Sequence, residues 1–253
     1  MAQKDRIELI ERTLLQDRSV SVSELSGRFG VTEETIRRDL EKLEKRGIAT
    51  RTYGGAVLNP DYLNQNSIHF NQRAQINLKE KRIIAEKAVQ LMAKETTIGF
   101  DSSSTAMEIV RHMGDGAGKT LVTNSVEVLL ETSQSSINVL STGGFLNRKS
   151  MSLYGVAAQN TIQHYHMDIA FLGCKALSMT SGIFDSNEYE ALIKNAMVAQ
   201  SQKVVLVADH TKFDRISFVR LMGFEKVHAL ITDEQPSQEW CAFLADRHIE
   251  LIC

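Results

Sequence analysis

The sequence predicts an α/β protein in two parts: a small helical segment carrying a β-hairpin, then a larger, mostly parallel sheet with helices on both faces. Three observations carry this. Within residues 1–58, two short helix signatures meet at Gly30 and a Gly-rich hairpin signature follows. From Leu78 onward, short apolar runs alternate with amphipathic helical stretches, the mark of strand–helix units. Between the two, residues 59–77 hold Pro60, scattered Asn and Gln, and no sustained periodicity. That stretch reads as a linker with one short ordered piece around residues 68–73.

In the first part, Ile7, Leu9, Ile10, Leu14 and Leu15 recur near helical spacing and predict a helix over residues 5–15. Ser21 followed by Glu24 fits a capping box for the next helix, which Gly30 ends where a positive φ costs little. Thr32 is the expected N-cap of a third helix, with Val31 and Ile36 at the positions of a hydrophobic staple. Ile36, Leu40 and Leu43 form its buried stripe. Thr35, Arg37 and Arg38 are left at its exposed N-terminal end. Residues 48–51 and 56–58 flank Thr52-Tyr53-Gly54-Gly55, a hairpin with a Gly turn. Two helices at a sharp turn followed by a hairpin describe a winged helix-turn-helix. In that arrangement the N-terminal end of the second helix meets base edges in the major groove. Ser21, Thr32, Thr35, Arg37, Arg38, Arg51, Tyr53 and Gly54 are therefore the candidate contacts to double-stranded DNA.

Charge runs on helices are ordinarily solvated faces. Here the fixed turn, the adjacent arginines at one helix end and the wing directly after them point to nucleic acid instead. Bulk charge does not contribute. The 253-residue chain has a net charge of −2, and residues 1–57 carry 11 Lys and Arg against 10 Asp and Glu, a net +1. Affinity must come from where the arginines stand. A composition of 43% hydrophobic and 24% charged residues is that of a soluble globular protein with a sizeable core. No apolar run approaches the ~20 residues of a membrane span. Cys174, Cys241 and Cys253 are odd in number and lack metal-ligand spacing, which fits reduced thiols in a cytoplasmic setting.

In the second part, residues 79–92 form an amphipathic helix with Ile83, Ile84, Ala88, Val89 and Met92 inward. Strands are predicted at 97–100, 121–123, 138–141, 169–172, 204–208 and 229–232, with an edge strand at 249–252. Helices are predicted at 105–113, 126–133 and 188–201. Ligands of open parallel sheets bind at the carboxyl ends of the strands, so those ends are where chemistry is expected. The first leads into Asp101-Ser102-Ser103-Ser104-Thr105, hydroxyls and backbone N–H groups at a helix start, which suit an anion. The second leads into Thr123-Asn124, the third into Gly143-Gly144 with Arg148 and Lys149 beyond, and the fourth into Lys175. A later loop carries Asp185, an acceptor for sugar hydroxyls, and Glu188, which favours a helix N-terminus electrostatically. The fifth strand is followed by Lys212, a point cation suited to phosphate, and by His210, which has no second His or Cys at ligand spacing. Together these suit a small phosphorylated polyol. No Ser/His/Asp order, paired-carboxylate spacing or metal cluster stands out, so no catalytic residue, metal or cofactor is expected.

The run VSVSELSGRFGVTEETIRRDLEKLEKRGIATRTYGGAVL, with its T-I-R-R-D-L and Y-G-G segments, resembles the N-terminal domain of the DeoR/GlpR family of bacterial sugar-operon regulators. The likeness continues: D-S-S-S-T resembles the family's D-x-G-T-T turn, S-T-G-G-F-L-N-R-K its G-G segment, and V-A-D-H-T-K-F its D-x-S-K-F signature. The resemblance implies a sensor domain at 78–253 similar in fold to ribose-5-phosphate isomerase. It also implies a repressor of a carbohydrate operon relieved by a phosphorylated sugar. Operators usually carry two half-sites, so a homo-oligomer, dimer or tetramer, is expected on operator DNA. Ser103 in place of the family's Gly, and the sequence at 185–187, depart from its pattern and bear on which sugar is bound. The competing reading is a sugar-phosphate isomerase-like enzyme with an appended DNA-binding domain, for which Asp101, Asp185 and Glu188 are the candidate bases.

Overall fold

A computed structural model describes residues 3–45, 48–59 and 69–253, divided into two compact units, Met1–Leu78 and Lys79–Cys253. In the smaller unit the first helix, α1, runs Gln3–Asp17 and buries Ile7, Ile10 and Leu14. The side chain of Leu15 lies outside those described. Helices α2 (Val22–Phe29) and α3 (Glu33–Lys45) are joined at Gly30, whose φ of 63° closes α2 in the left-handed conformation. Thr32 caps α3, its hydroxyl accepting from the Thr35 N–H at 3.3 Å. Ile36, Leu40 and Leu43 are fully buried, and Val31 packs on the same cluster.

The Ser21–Glu24 capping box does not form. Ser21 stands at the N-cap, yet its hydroxyl pairs with that of Ser23 and makes no cap bond. The reason is a strand that periodicity over three residues cannot reveal. β1 (Ser19–Ser21) joins β2 (Ala49–Thr52) and β3 (Gly55–Leu58) in an antiparallel sheet of order β1-β3-β2. Ser21 is thereby tied to Gly55, and the Val22 N–H is satisfied by the Gly54 carbonyl of the wing turn at 2.9 Å. The wing turn thus serves as the helix cap.

The expected linker divides at its middle. Residues 60–68 lie outside those described. Phe70–Gln75 is a helix that packs on α1, with Gln72 donating to Glu11, Arg12 donating to Gln75, and Ile76 entering the small unit's core.

The larger unit holds a fully parallel seven-stranded sheet of order β15-β14-β12-β9-β4-β5-β6. Its strands are β4 (Thr97–Phe100), β5 (Thr120–Thr123), β6 (Asn138–Ser141), β9 (Met167–Gly173), β12 (Ser201–Val207), β14 (Ala229–Ile231) and β15 (Glu250–Ile252). All seven coincide with the predicted runs: the inner strands are buried on both faces and read as short continuous apolar stretches, and the part-exposed edge strands β6 and β15 are short apolar runs as well. The chain begins at β4, steps outward to β6, then returns to the other side of β4 at β9 and steps outward again. The order therefore reverses between β4 and β9, where such sheets open a crevice at their carboxyl edge. Phe100 and Phe171 stack across this junction at 5.5 Å.

Two additions were not expected from periodicity. A hairpin of β7 (Phe145–Asn147) and β8 (Ser152–Tyr154) follows β6. An antiparallel sheet of β10 (Ala176–Ser178), β11 (Gly182–Asp185) and β13 (Val219–Met222) follows β9. Both are built from strands of three or four residues, too short to show an alternation.

Candidate functional site

In the smaller unit the candidate DNA surface is α3 with the wing. Arg37 and Arg38 are exposed near the start of α3, Thr35 is half-buried with its hydroxyl 2.9 Å from that of Thr32, and Tyr53 stands fully exposed at the wing tip. The arginines are not bare. Arg37 pairs with Glu33 at 2.6 Å and lies 3.9 Å from Glu34, and Arg38 pairs with Glu34 at 3.4 Å. Arg51 of β2 pairs with Glu44 at 3.1 Å, and its N–H donates to the same carboxylate at 3.2 Å, which ties the wing to α3. Beneath this surface Asp39 is wholly buried and pairs with Arg6 of α1 at 2.7 Å. Sequence reading passed over Asp39; its sign was a carboxylate lying between Ile36 and the inward Leu40 on the helix's apolar stripe.

In the larger unit five strand ends bring polar groups to one edge. Asp101, after β4, is buried and accepts from the N–H of Ser103 and from that of Gly173 at the end of β9, both at 2.9 Å. It therefore bridges the two strands at the switch point. Ser103 caps the helix Ser104–His112 through a bond from the Ala106 N–H. Part of the predicted anion cradle is thus already filled by the chain's own oxygens. Ser104 and Thr105 begin that helix and are buried. Ser102, also buried, donates to Glu190 at 2.7 Å, and Ser152 of β8 donates to the other oxygen of Glu190 at 2.7 Å.

Asp185 is buried at the end of β11 and ion-paired with Lys194 of the helix Glu188–Ala199. Lys194 also lies 3.1 Å from Asp101 and donates to the Gly173 carbonyl at 2.9 Å. Burial by itself lowers the pKa of this lysine. The carboxylates of Asp185, Asp101 and Glu190 outweigh that and hold it above the ordinary lysine value. The acceptor role expected of Asp185 is accordingly occupied. Glu188 is exposed, while Glu190 two positions on is the carboxylate turned inward. Lys194 and Glu190 escaped the sequence reading, although both fall on the stripe marked by Ile193 and Met197.

Thr123 is fully buried and spans β4 and β5, donating to the Phe100 carbonyl at 2.8 Å and accepting from the Ser125 N–H at 3.0 Å. Asn124 is also buried. Its Nδ2 donates to the Leu153 carbonyl at 3.1 Å, which sets the orientation of the amide, and its Oδ1 has no hydrogen-bond partner among the described residues. A buried acceptor left unpaired costs about 1–3 kcal/mol. Gly144, at φ 107°, lies so close to β8 that a side chain there would meet the Tyr154 carbonyl, while Gly143 is exposed. Arg148 and Lys149 are exposed in the β7–β8 turn. Lys175 is half-buried, its N–H bonded to the Phe184 carbonyl at 2.8 Å.

After β12, Asp209 is buried and pairs with Lys212 at 2.9 Å, leaving the Lys212 side chain 24% exposed. Burial raises the Asp209 pKa, but Lys212, the Thr211 hydroxyl and Lys81 more than reverse this and hold the carboxyl well below the usual range. His210 bonds to Asp233 at 2.7 Å; Glu234 lies 3.9 Å away. Burial of His210 opposes protonation, and Asp233 and the neighbouring acids outweigh it, so its pKa is raised. These three groups are the metal-capable cluster among the described residues. With His210 and Glu234 exposed and no further ligand, they carry no metal assignment. Burial pushes the Cys174 thiol up to about 12, against the pull of Lys194 and Lys212, which disfavours the thiolate.

Residues 6–61 match the DeoR-like helix-turn-helix domain and residues 76–234 match the DeoR C terminal sensor domain. The chain is 38% identical over 234 residues to an uncharacterized HTH-type transcriptional regulator, YulB, of Bacillus subtilis, covering 92% of this chain and 90% of that protein. It is 35% identical over 233 residues to a putative aga operon transcriptional repressor of Escherichia coli O157:H7, covering 91% and 86%. Among solved structures it is similar to ribose 5-phosphate isomerase A of Methanocaldococcus jannaschii, at 19% identity and a TM-score of 0.40 over 54% of this chain and 55% of that one. No helix among the described residues is long and apolar enough to cross a membrane. With a helix-turn-helix in the smaller unit and a sensor domain in the larger, the chain belongs to the DeoR family and is a DNA-binding transcriptional regulator.

Proposed function

We propose that this regulator represses a carbohydrate catabolic operon and that a phosphorylated sugar bound at the carboxyl edge of the seven-stranded sheet relieves repression. The observation that carries the reading is Asn124. Its buried Oδ1, unpartnered among the described residues, stands at a strand end where Asn124 is bonded to Leu153, the neighbour of the Ser152 that with Ser102 is bonded to Glu190, and a ligand hydroxyl would satisfy it. Asp101, Asp185 and Glu190 against the single Lys194 make that part of the edge net negative, so it favours hydroxyls over phosphate. Phosphate belongs with the cations set further out, Lys212, Lys175, Arg148 and Lys149. The name of a relative, the L-fucose operon activator of Haemophilus influenzae, supports the carbohydrate assignment.

Ligand shifts DNA affinity only by preferring one arrangement of the protein over another. Operators of helix-turn-helix proteins carry two half-sites, so the working form is a homodimer or a larger even oligomer, in the cytoplasm with the DNA. The isomerase-like alternative is disfavoured because two of its three candidate bases, Asp101 and Asp185, are tied up in ion pairs with Lys194 and the third, Glu188, is exposed.

The test is a thermal-shift screen of the full-length protein against sugar phosphates and their free sugars. A ligand at a hundredfold excess over its Kd adds about 2.7 kcal/mol of apparent stability. The expected result is a shift with one phosphorylated sugar that its free sugar does not reproduce. Lys212→Ala should bind DNA normally and respond more weakly to that compound. A free sugar acting as well as its phosphate would remove phosphate from the reading.

A further inference from the structure

The carboxylates of α3 are placed as counter-charges to every candidate DNA-contacting arginine. Glu33 and Glu34 hold Arg37 and Arg38, and Glu44 holds Arg51, at 2.6, 3.4 and 3.1 Å. Glu41 holds Lys45 at 2.7 Å, and the lysine keeps the Glu41 carboxyl below its ordinary range. An exposed pair at i,i+4 adds little to a helix, and Glu33 and Glu34 already favour the helix N-terminus through its dipole. The pairing has a second consequence at a polyanion. Non-specific affinity for DNA comes almost entirely from cations neutralising phosphates. On this surface Arg37, Arg38 and Arg51 each bring a carboxylate with them when they approach a phosphate.

We infer that Glu33 and Glu34 are specificity-determining residues that suppress binding to non-operator DNA. On random sequence, Arg37 and Arg38 remain paired and the carboxylates face phosphates, so little is gained. On the operator, base-edge acceptors in the major groove take the arginines out of their ion pairs and repay the separation. Discrimination is therefore raised by weakening the wrong complex. The inference rests on the assignment of α3 as the DNA-reading helix.

The experiment uses the full-length protein and two probes: poly(dI-dC), and the duplex that the wild-type protein itself selects from a random 30-bp library. Glu33→Gln and Glu34→Gln should each tighten binding to poly(dI-dC) by roughly three- to tenfold and steepen the salt dependence by about one unit of log–log slope, as one more phosphate is neutralised. Affinity for the selected duplex should change less, so the ratio of the two falls at least threefold. Glu34→Asp, which keeps the charge, should restore the wild-type ratio. Circular dichroism establishes that α3 is intact in each variant. Unchanged poly(dI-dC) binding by folded Gln variants would overturn the inference and leave the carboxylates as helix-dipole partners alone. Loss of preference at one base pair of the selected duplex, with poly(dI-dC) binding unchanged, would overturn it too and make the glutamate a base reader. A wild-type protein that selects no sequence would instead sink the DNA-reading assignment itself, a result distinct from either.

Discussion

Arg37–Glu33 in the smaller unit and Lys194–Asp101 in the larger are both close ion pairs, at 2.6 and 3.1 Å, and they do opposite things. The first has both side chains about half exposed; the second has them 5% and 1% exposed. In water, the gain from a pair is nearly cancelled by hydration and side-chain entropy, so Arg37 can be handed to another acceptor at small cost. Inside the protein, neither partner of Lys194 has water to fall back on, and separating them strands a buried charge. The candidate DNA surface is thus a set of exchangeable contacts, whereas the sheet edge is a locked platform that holds β4, β9, β11 and a helix in one geometry. A reader of sequence needs the first property, and a preorganised ligand site needs the second.

Lys194→Met gives the sharpest break in this comparison. It leaves Asp101, Asp185 and Glu190 without their cation, and the larger unit should lose about 3–5 kcal/mol in denaturant unfolding. A loss below 1 kcal/mol would show that the carboxylates had taken up protons and that the cluster is not locked. Next in size is Arg37→Ala. Operator binding should weaken by about 1–3 kcal/mol with altered base preference if the side chain reads a base, while unfolding stability changes by less than ~0.5 kcal/mol. Equal weakening on all DNA would make it a phosphate contact. The smallest effect concerns acid. Asp168, at the start of β9, accepts from the N–H groups of Thr97 and Thr96, and its pKa is lowered from 3.8 to about 2. A carboxylate depressed in the folded state adds stability above its unfolded pKa and loses it as pH falls, here between about 4 and 2. The buried Asp209, held low by Lys212, acts in the same direction. Asp168→Asn should flatten the fall in melting temperature across that range, and an unaltered slope would remove Asp168 from the acid response.

Legibility in the sequence followed the range of the interactions. The turn at Gly30, the Thr32 cap and the stripe Ile36–Leu40–Leu43 depend on residues within a few positions of one another, and all appear where spacing put them. The seven strands were visible for the same reason. Ser21 is the instructive exception. Its local signature was that of a cap, but pairing with Gly55, 34 positions away, redirected its hydroxyl. The candidate site was half legible: reading the strand ends found Asp101, Ser102, Asn124 and Lys212, because topology sends ligands to that edge.

By itself, the sequence determined the two-part architecture, the helix-turn-helix, the seven strands of the parallel sheet, and which edge of that sheet carries polar groups, since each is written in period, cap or run length; β1, the β7–β8 hairpin and the β10–β11–β13 sheet are not. The stripe through Ile193 and Met197 already turns Glu190, and not Glu188, inward; only the tertiary structure decided that Ser102 and Ser152 are its partners, that Asp185 is spent on Lys194, and that Asn124 keeps one acceptor open among the described residues. Those outcomes are set by partners 9 to 88 positions apart. Charge and hydrogen bonding across such separations follow from which surfaces the fold buries together, and no local spacing rule encodes that.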